Sequence, residues 1–185
     1  MLYSAHPGSG LRRLEEQGWS RAAPYWAYIW SGGAVLARHL AEHPDAVAGR
    51  TVLDLGCGGG IVAIAAARAG ARKVYATDID RFARAATELN AAANEVAVEI
   101  LPDLDPLPPI DLILAGDVFY DASAARRSTT QLDSFRAAGI EVLVGDPGRA
   151  HLPTDRLVEL AAYDVPEFGA GPASTTPAAV YAYRP

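Results

Sequence analysis

The stretch Thr51-Val52-Leu53-Asp54-Leu55-Gly56-Cys57-Gly58-Gly59-Gly60 decides the fold. Its first five residues are mostly apolar and make a short strand. Glycines at alternate positions then call for a tight turn, and the apolar run Ile61 to Ala69, closed by Gly70, reads as a helix. A strand that runs through a glycine turn into a helix opens a βαβ unit, with a ligand seat at the helix N-terminus.

The same rhythm repeats outward. Val74 to Thr77 is a second strand, Asp80 to Ala93 an alanine-rich helix with Asp80 as its N-cap, and Val96 to Leu101 a third strand. Pro102, Pro106, Pro108 and Pro109 interrupt regular structure until Asp111 to Gly116, the fourth strand. Ala122 to Ala138 is a helix and Ile140 to Gly145 the fifth strand. Leu157 to Val165 and Ala178 to Tyr183 are two late strands around the loop-like run Glu167 to Pro177, and Asp146 to Leu157 holds either a short helix or a bare crossover. This predicts an α/β fold: a doubly wound, seven-stranded, mostly parallel sheet with a C-terminal antiparallel hairpin. Before the first strand, a helix carries Val35, Leu36 and Leu40 on one face and stops at Pro44. Leu11 to Gly18 makes a further short helix. Residues 1–23 read as an N-terminal extension without periodicity over Met1 to Gly10, and 24–185 as one domain.

Composition narrows the class. The 185 residues are 50% apolar, enough for one sizeable core, and carry a formal charge of −6. Basic residues are scattered, with Arg12-Arg13 and Arg126-Arg127 the only notable doublets, so no cationic stripe suits nucleic acid. No run approaches the roughly 20 apolar residues of a membrane span. A single cysteine, Cys57, fits a reducing compartment, and the expectation is a cytoplasmic protein.

The glycine loop selects the cofactor. A dinucleotide fingerprint needs its third glycine at position 61, which is Ile61. Asp54 also places an acid two residues before the turn. That suits the ammonium and sulfonium of S-adenosyl-L-methionine better than a pyrophosphate. Asp78 ends the second strand roughly 20 residues after the first glycine, where a carboxylate can take both ribose hydroxyls. Asp103, after the third strand, falls where adenine would lie. Cys57 by itself fills the turn.

Three further pieces bear on the acceptor: Pro24-Tyr25-Trp26-Ala27-Tyr28-Ile29-Trp30-Ser31-Gly32-Gly33, Gly116-Asp117-Val118-Phe119-Tyr120-Asp121, and Gly145-Asp146-Pro147-Gly148-Arg149. With the loop Val52 to Gly60 they resemble class I methyltransferases, and are similar to the lysine methyltransferases of the electron transfer flavoprotein β subunit. The resemblance covers roughly residues 24–184. It implies a protein lysine as methyl acceptor, a Trp-rich segment closing over the cofactor, and Asp117 and Tyr120 facing the acceptor as catalytic residues. The cofactor-binding set is then Trp30, Asp54, Gly56, Cys57, Gly58, Gly60, Asp78, Ile79, Asp103 and Asp117. The family usually has a longer segment ahead of the Trp motif than the 23 residues here.

Chemistry sets the task for those residues. A lysine with a pKa of about 10.4 is neutral roughly once in 2,500 at pH 7. Asp117 as a bare counter-charge would worsen that ratio, so the expectation is that it orients the amine. Tyr120, with Trp26 or Trp30, can line the channel through ring faces; Phe119 and Tyr120 can also be simple packing residues. Rival readings are a ribosomal-protein lysine methyltransferase and a small-molecule N-methyltransferase of the nicotinamide type. A nucleic-acid amino methyltransferase usually has Asn/Asp-Pro-Pro-Tyr/Phe after the fourth strand, unlike Asp117-Val118-Phe119-Tyr120. His39-Leu40-Ala41-Glu42-His43 matches a zinc-peptidase pattern, but Pro44 ends that helix and no third ligand is evident, so no metal is expected.

Overall fold

The computed structural model describes residues 1–5, 10–11, 24–166 and 174–184. Seven strands form one sheet: β1 (Thr51–Leu55), β2 (Lys73–Thr77), β3 (Glu99–Ile100), β4 (Leu112–Gly116), β5 (Glu141–Asp146), β6 (Leu157–Pro166) and β7 (Thr175–Tyr183). Their order is β3-β2-β1-β4-β5-β7-β6. The first five are parallel, and β7 runs antiparallel to both β5 and β6. The order reverses between β1 and β4, so the ligand crevice of an open α/β sheet lies at the carboxyl ends of those strands. The α-helices given in full by the described residues are α1 (Ser31–Glu42), α2 (Ile61–Arg68), α3 (Arg81–Ala93) and α4 (Ala122–Ala137).

The central strands are apolar on both faces because both faces are covered. Val52, Leu112 and Leu114 pack with Val35, Leu36 and Leu40 of α1 and Val62 and Ala66 of α2. Leu53, Ile113 and Val144 pack with Leu132 and Phe135 of α4 on the other side. α1 precedes β1 in the chain yet lies against β4, β5, β6 and β7. No helix among the described residues is long and apolar enough to cross a membrane.

Several boundaries differ from the sequence reading. β3 is only two residues long, because the end of α3 consumes the expected start: Asn94, Glu95 and Val96 donate back into the last turn, and Glu95 takes φ 56°. β7 starts at Thr175 and contains Pro177, opposite Asp164 of β6. Pairing with β5 begins only at Ala179, so one flank of β7 is open where the proline lacks its N–H. Asp146 to Leu157 is crossed with a single 3-10 turn, Thr154–Arg156. Another 3-10 turn, Tyr25–Ala27, stands in the aromatic segment. Met1 to Ala5 lie along α3, where Tyr3 N–H donates to Asn90 Oδ1 at 2.7 Å and Ala5 N–H to the Ala27 carbonyl at 2.6 Å. The expected Leu11 to Gly18 helix lies outside the described residues, apart from Leu11.

Candidate active site

The glycine loop is fixed from three sides. The Gly56 and Cys57 N–H groups donate to the Thr77 carbonyl at the end of β2. From α3, Thr87 Oγ1 donates to the Gly58 carbonyl at 3.1 Å and Asn90 Nδ2 to the Gly59 carbonyl at 2.8 Å. Gly60 has φ 83°, and a β-carbon there would sit 2.9 Å from Thr87 Cγ2, so glycine is required by both backbone and space. Cys57 is buried, with its Sγ 3.2 Å from Thr87 Oγ1, and burial pushes its thiol pKa up.

The acids of the loop differ in role. Asp54 is 1% exposed, and its Oδ2 accepts the Ala63 N–H at 2.9 Å, in the first turn of α2. Burial, joined by the charge of Asp78, pushes its carboxyl up to about 7 against the Ala63 hydrogen bond. Asp78 stands at the lip of the crevice, accepting Gly58 N–H at 3.0 Å on one oxygen and Asp80 N–H at 2.9 Å on the other. Each oxygen of a carboxylate has about two acceptor sites, so both retain capacity for a hydroxyl. Burial raises its pKa, partly offset by those two N–H groups. Beside it Ile79 is 87% exposed, an apolar surface at the rim of the crevice. Asp103 is exposed in the proline-rich loop, and its Oδ1 accepts the Asp105 N–H. Asp80 caps α3, accepting Phe82 N–H at 2.8 Å.

The second half of the site forms where β4 and β5 end under the N-terminus of α1. Three glycines allow the approach. A methyl group on Gly32 or Gly145 would run into the other's carbonyl oxygen, and one on Gly116 would lie 2.9 Å from Gly33 Cα. Asp117 follows with φ 56° and is buried. Its Oδ2 accepts the N–H groups of Gly32 and, at 3.2 Å, Gly33; its Oδ1 accepts Arg149 Nε at 2.8 Å and Arg149 Nη2. Four donors fill the carboxylate, two from the N-terminus of α1 and two from Arg149.

Aromatic rings cover this floor. Trp30 Nε1 donates to the Tyr25 carbonyl at 2.7 Å, and its ring lies 5.8 Å from the Arg149 guanidinium. Tyr25 bridges Trp30, at 5.8 Å between centroids, and Tyr120, at 6.0 Å. Trp26 stands apart from them, against Gly58 and Gly59 and stacked on Phe82 at 6.3 Å. Trp26 and Trp30 therefore lie at opposite halves of the crevice. Phe119 is fully buried packing, whereas Tyr120 is 47% exposed at the mouth. His39 is buried on α1, with Nδ1 3.0 Å from the Tyr163 hydroxyl and its ring 4.7 Å from His43. Burial, then the neighbouring His43, lowers its pKa.

Comparison with known proteins bears on the fold that carries this geometry. A family model for ribosomal protein L11 methyltransferase (PrmA) matches residues 40–116. The chain is 40% identical over 166 residues to the electron transfer flavoprotein beta subunit lysine methyltransferase of Rattus norvegicus, covering 80% of this chain and 62% of that one. It is 42% identical over 166 residues to the Danio rerio protein of the same name, covering 80% and 61%. It thus spans about three fifths of the length of these curated relatives. The solved structure of ribosomal protein L11 methylase from Lactobacillus delbrueckii subsp. bulgaricus matches with a TM-score of 0.56 at 26% identity, over 81% of this chain and 77% of that one. This is the class I S-adenosylmethionine-dependent methyltransferase fold.

Within the class I methyltransferase fold, Thr87, Asn90, Tyr25 and Arg149 are site-building residues that the sequence reading did not single out. Thr87 and Asn90 had a signal: two polar residues three apart in an alanine-rich helix share one face, here turned to the glycine loop. Arg149 lies in the quoted segment Gly145–Arg149, but its pairing with Asp117, 32 positions away, could not be read from it.

Proposed function

We propose that the protein is an S-adenosyl-L-methionine-dependent N-methyltransferase whose acceptor is a lysine side chain of a protein, with the electron transfer flavoprotein β subunit as first candidate. One observation carries the acceptor side of this reading. The segments 24–33, 116–121 and 145–149, distant in sequence, meet as one aromatic mouth over the Asp117–Arg149 pair, beside the glycine loop.

The residues present fit the cofactor. Asp78 has free acceptor capacity for ribose hydroxyls, Ile79 gives adenine an apolar flank, and Asp103 lies in the loop on the adenine side. Gly56 and Gly58, both at positive φ, let a ligand approach backbone, and the buried Asp54 adds negative potential behind the loop. When bound, S-adenosyl-L-methionine supplies an electrophilic methyl carbon on a sulfonium, which departs as a neutral thioether. The chain's own residues must present a lysine Nζ that has lost its proton to solvent, in line with that carbon. Tyr25 and Tyr120 flank the aliphatic stem and favour the methylated cation by roughly 0.5–2 kcal/mol. Asp117 and Trp30 keep the mouth in register with β4; alignment of this kind is worth several kcal/mol.

A ribosomal-protein acceptor is a second reading, favoured by the family model. That match ends at residue 116, just before Asp117, so it spans the cofactor half and not the acceptor loops after β4 and β5. We further propose a cytoplasmic location, which a single unpaired cysteine, Cys57, suits. The test is incubation with labelled cofactor and purified β subunit, with modified residues mapped by mass spectrometry. Methylation of a β-subunit lysine supports the proposal. Label on a ribosomal protein, on nicotinamide or on nucleic acid instead overturns that acceptor.

A further inference from the structure

A carboxylate beside an incoming lysine stabilises the ammonium, the one form that cannot attack a methyl carbon. Asp117 lies on the floor of the mouth, and how its charge is handled therefore matters. Arg149 places two donors on Asp117 Oδ1, while Oδ2 is turned onto the first N–H groups of α1. Arg149 is itself aimed: Asp146 Oδ1 accepts its backbone N–H at 2.7 Å and that of Gly148 at 2.8 Å. Asp146 is wholly buried, and its other oxygen has no partner among the described residues. An orphaned buried carboxylate oxygen is costly and persists where the surrounding turn is over-determined. The Arg149 side chain keeps 27% of its surface exposed and its guanidinium borders Trp30, so its charge is felt in the mouth and not only beneath it.

We infer that Arg149 is a positioning residue that neutralises Asp117 and pins it to α1, so that an acceptor amine meets no free carboxylate and sheds its proton more readily. The inference rests on the lysine reading above. Among the described residues, the ionisable groups on the elements around Asp117 are Asp146 at the end of β5, Arg149 and His151 from the loop after it, Tyr120 and Asp121 from its own loop, Tyr25 and Tyr28 from the aromatic segment, and Asp54 from β1. α1 presents N–H groups, its first ionisable side chain being Arg38. Arg149 is the cation among these whose contact with Asp117 is seen, and its removal frees the carboxylate.

The test is the pH profile of kcat, which reads the bound state in which the lysine faces Asp117, between pH 6 and 10 for the intact protein with saturating purified β subunit and labelled cofactor. Arg149→Gln should move the acid limb upward by about one unit, giving roughly tenfold loss at pH 7 that recovers above pH 9. Arg149→Lys keeps the charge and should keep the midpoint at a lower rate, which also serves if the glutamine variant does not fold. Asp117→Asn added to Arg149→Gln should bring the midpoint back. A loss uniform across pH, or a moved midpoint in Arg149→Lys, overturns the inference and leaves lysine methylation standing. A wild type that methylates no lysine at any pH overturns the lysine reading, and this inference with it.

Discussion

Asp54 Oδ2 accepts the backbone N–H of Ala63 at 2.9 Å across the whole glycine loop, so a β1 side chain supports the helix into which that loop runs. The pair is buried, and this gives it a pH signature. Burial raises the Asp54 carboxyl to about 7, well above its value in the unfolded chain. A carboxyl raised on folding stabilises fully below its unfolded pKa and loses that contribution as pH rises through the folded value. The cofactor-free protein should therefore lose stability between about pH 4 and 8. Asp54→Asn keeps an acceptor for Ala63 but cannot ionise, so denaturation midpoints should show it more stable than wild type at pH 8, by up to about 4 kcal/mol, and similar at pH 4. A wild type with flat pH dependence would contradict the assignment.

Asp78 and Gly58 share one hydrogen bond, and the two should fail together. Asp78→Ala removes the acceptor for Gly58 N–H and the proposed acceptor for ribose. Calorimetry should show S-adenosyl-L-methionine affinity reduced at least tenfold, in line with roughly 1.5–3 kcal/mol for a charged acceptor. Gly58→Val should abolish binding, because φ 53° is strained for a β-branched residue. Unchanged affinity in Asp78→Ala would remove this placement of the cofactor.

The sequence made the cofactor half legible and the acceptor half only in outline. Strand, glycine turn and helix are local features, so β1, α2 and Asp78 could be read from spacing. Asp80 was equally clear, since an N-cap bonds within its own turn. The function of Asp117 was not readable, because its donors are Gly32, Gly33 and Arg149, drawn from two other segments. Composition alone would have given Trp26 and Trp30 one role, yet Trp26, within the 3-10 turn Tyr25–Ala27, lies against the glycine loop and Trp30, beyond it, against Arg149. Strand ends were misjudged where tertiary pairing overrode local signals, as at Pro177, which is permitted by an open flank that no single-chain pattern reveals.

The mouth residues should separate recognition from folding. Tyr25 and Tyr120 are largely exposed, so alanine at either should barely move the melting temperature. Each should raise KM for the protein acceptor several-fold to tenfold while leaving cofactor affinity intact. Tyr120→Phe keeps the ring and should retain most activity if the face, not the hydroxyl, meets the acceptor. Full activity in a variant lacking both rings would make them bystanders.

Gly145→Ala should be among the most damaging conservative changes. The added methyl meets the Gly32 carbonyl and Leu36, and α1 must shift to admit it. Overpacking costs about 1–3 kcal/mol or more, measurable by chemical denaturation. Displacing α1 also lifts Gly32 and Gly33 from Asp117, so methylation should fall even at temperatures where the variant is folded.

The position of α1 also sets a schedule for biosynthesis. Its residues leave the ribosome early, but Gly32 bonds to Asp117, 85 positions on, and Arg38 to the Asp164 carbonyl, 126 positions on. At about 5–20 residues per second, the aromatic segment waits on the order of ten seconds for the surface that receives it. During that interval β1, α2 and β2 can already assemble the glycine loop. A nascent chain would thus acquire its cofactor seat well before its acceptor mouth, and arrest at successive lengths should find ligand binding without transfer.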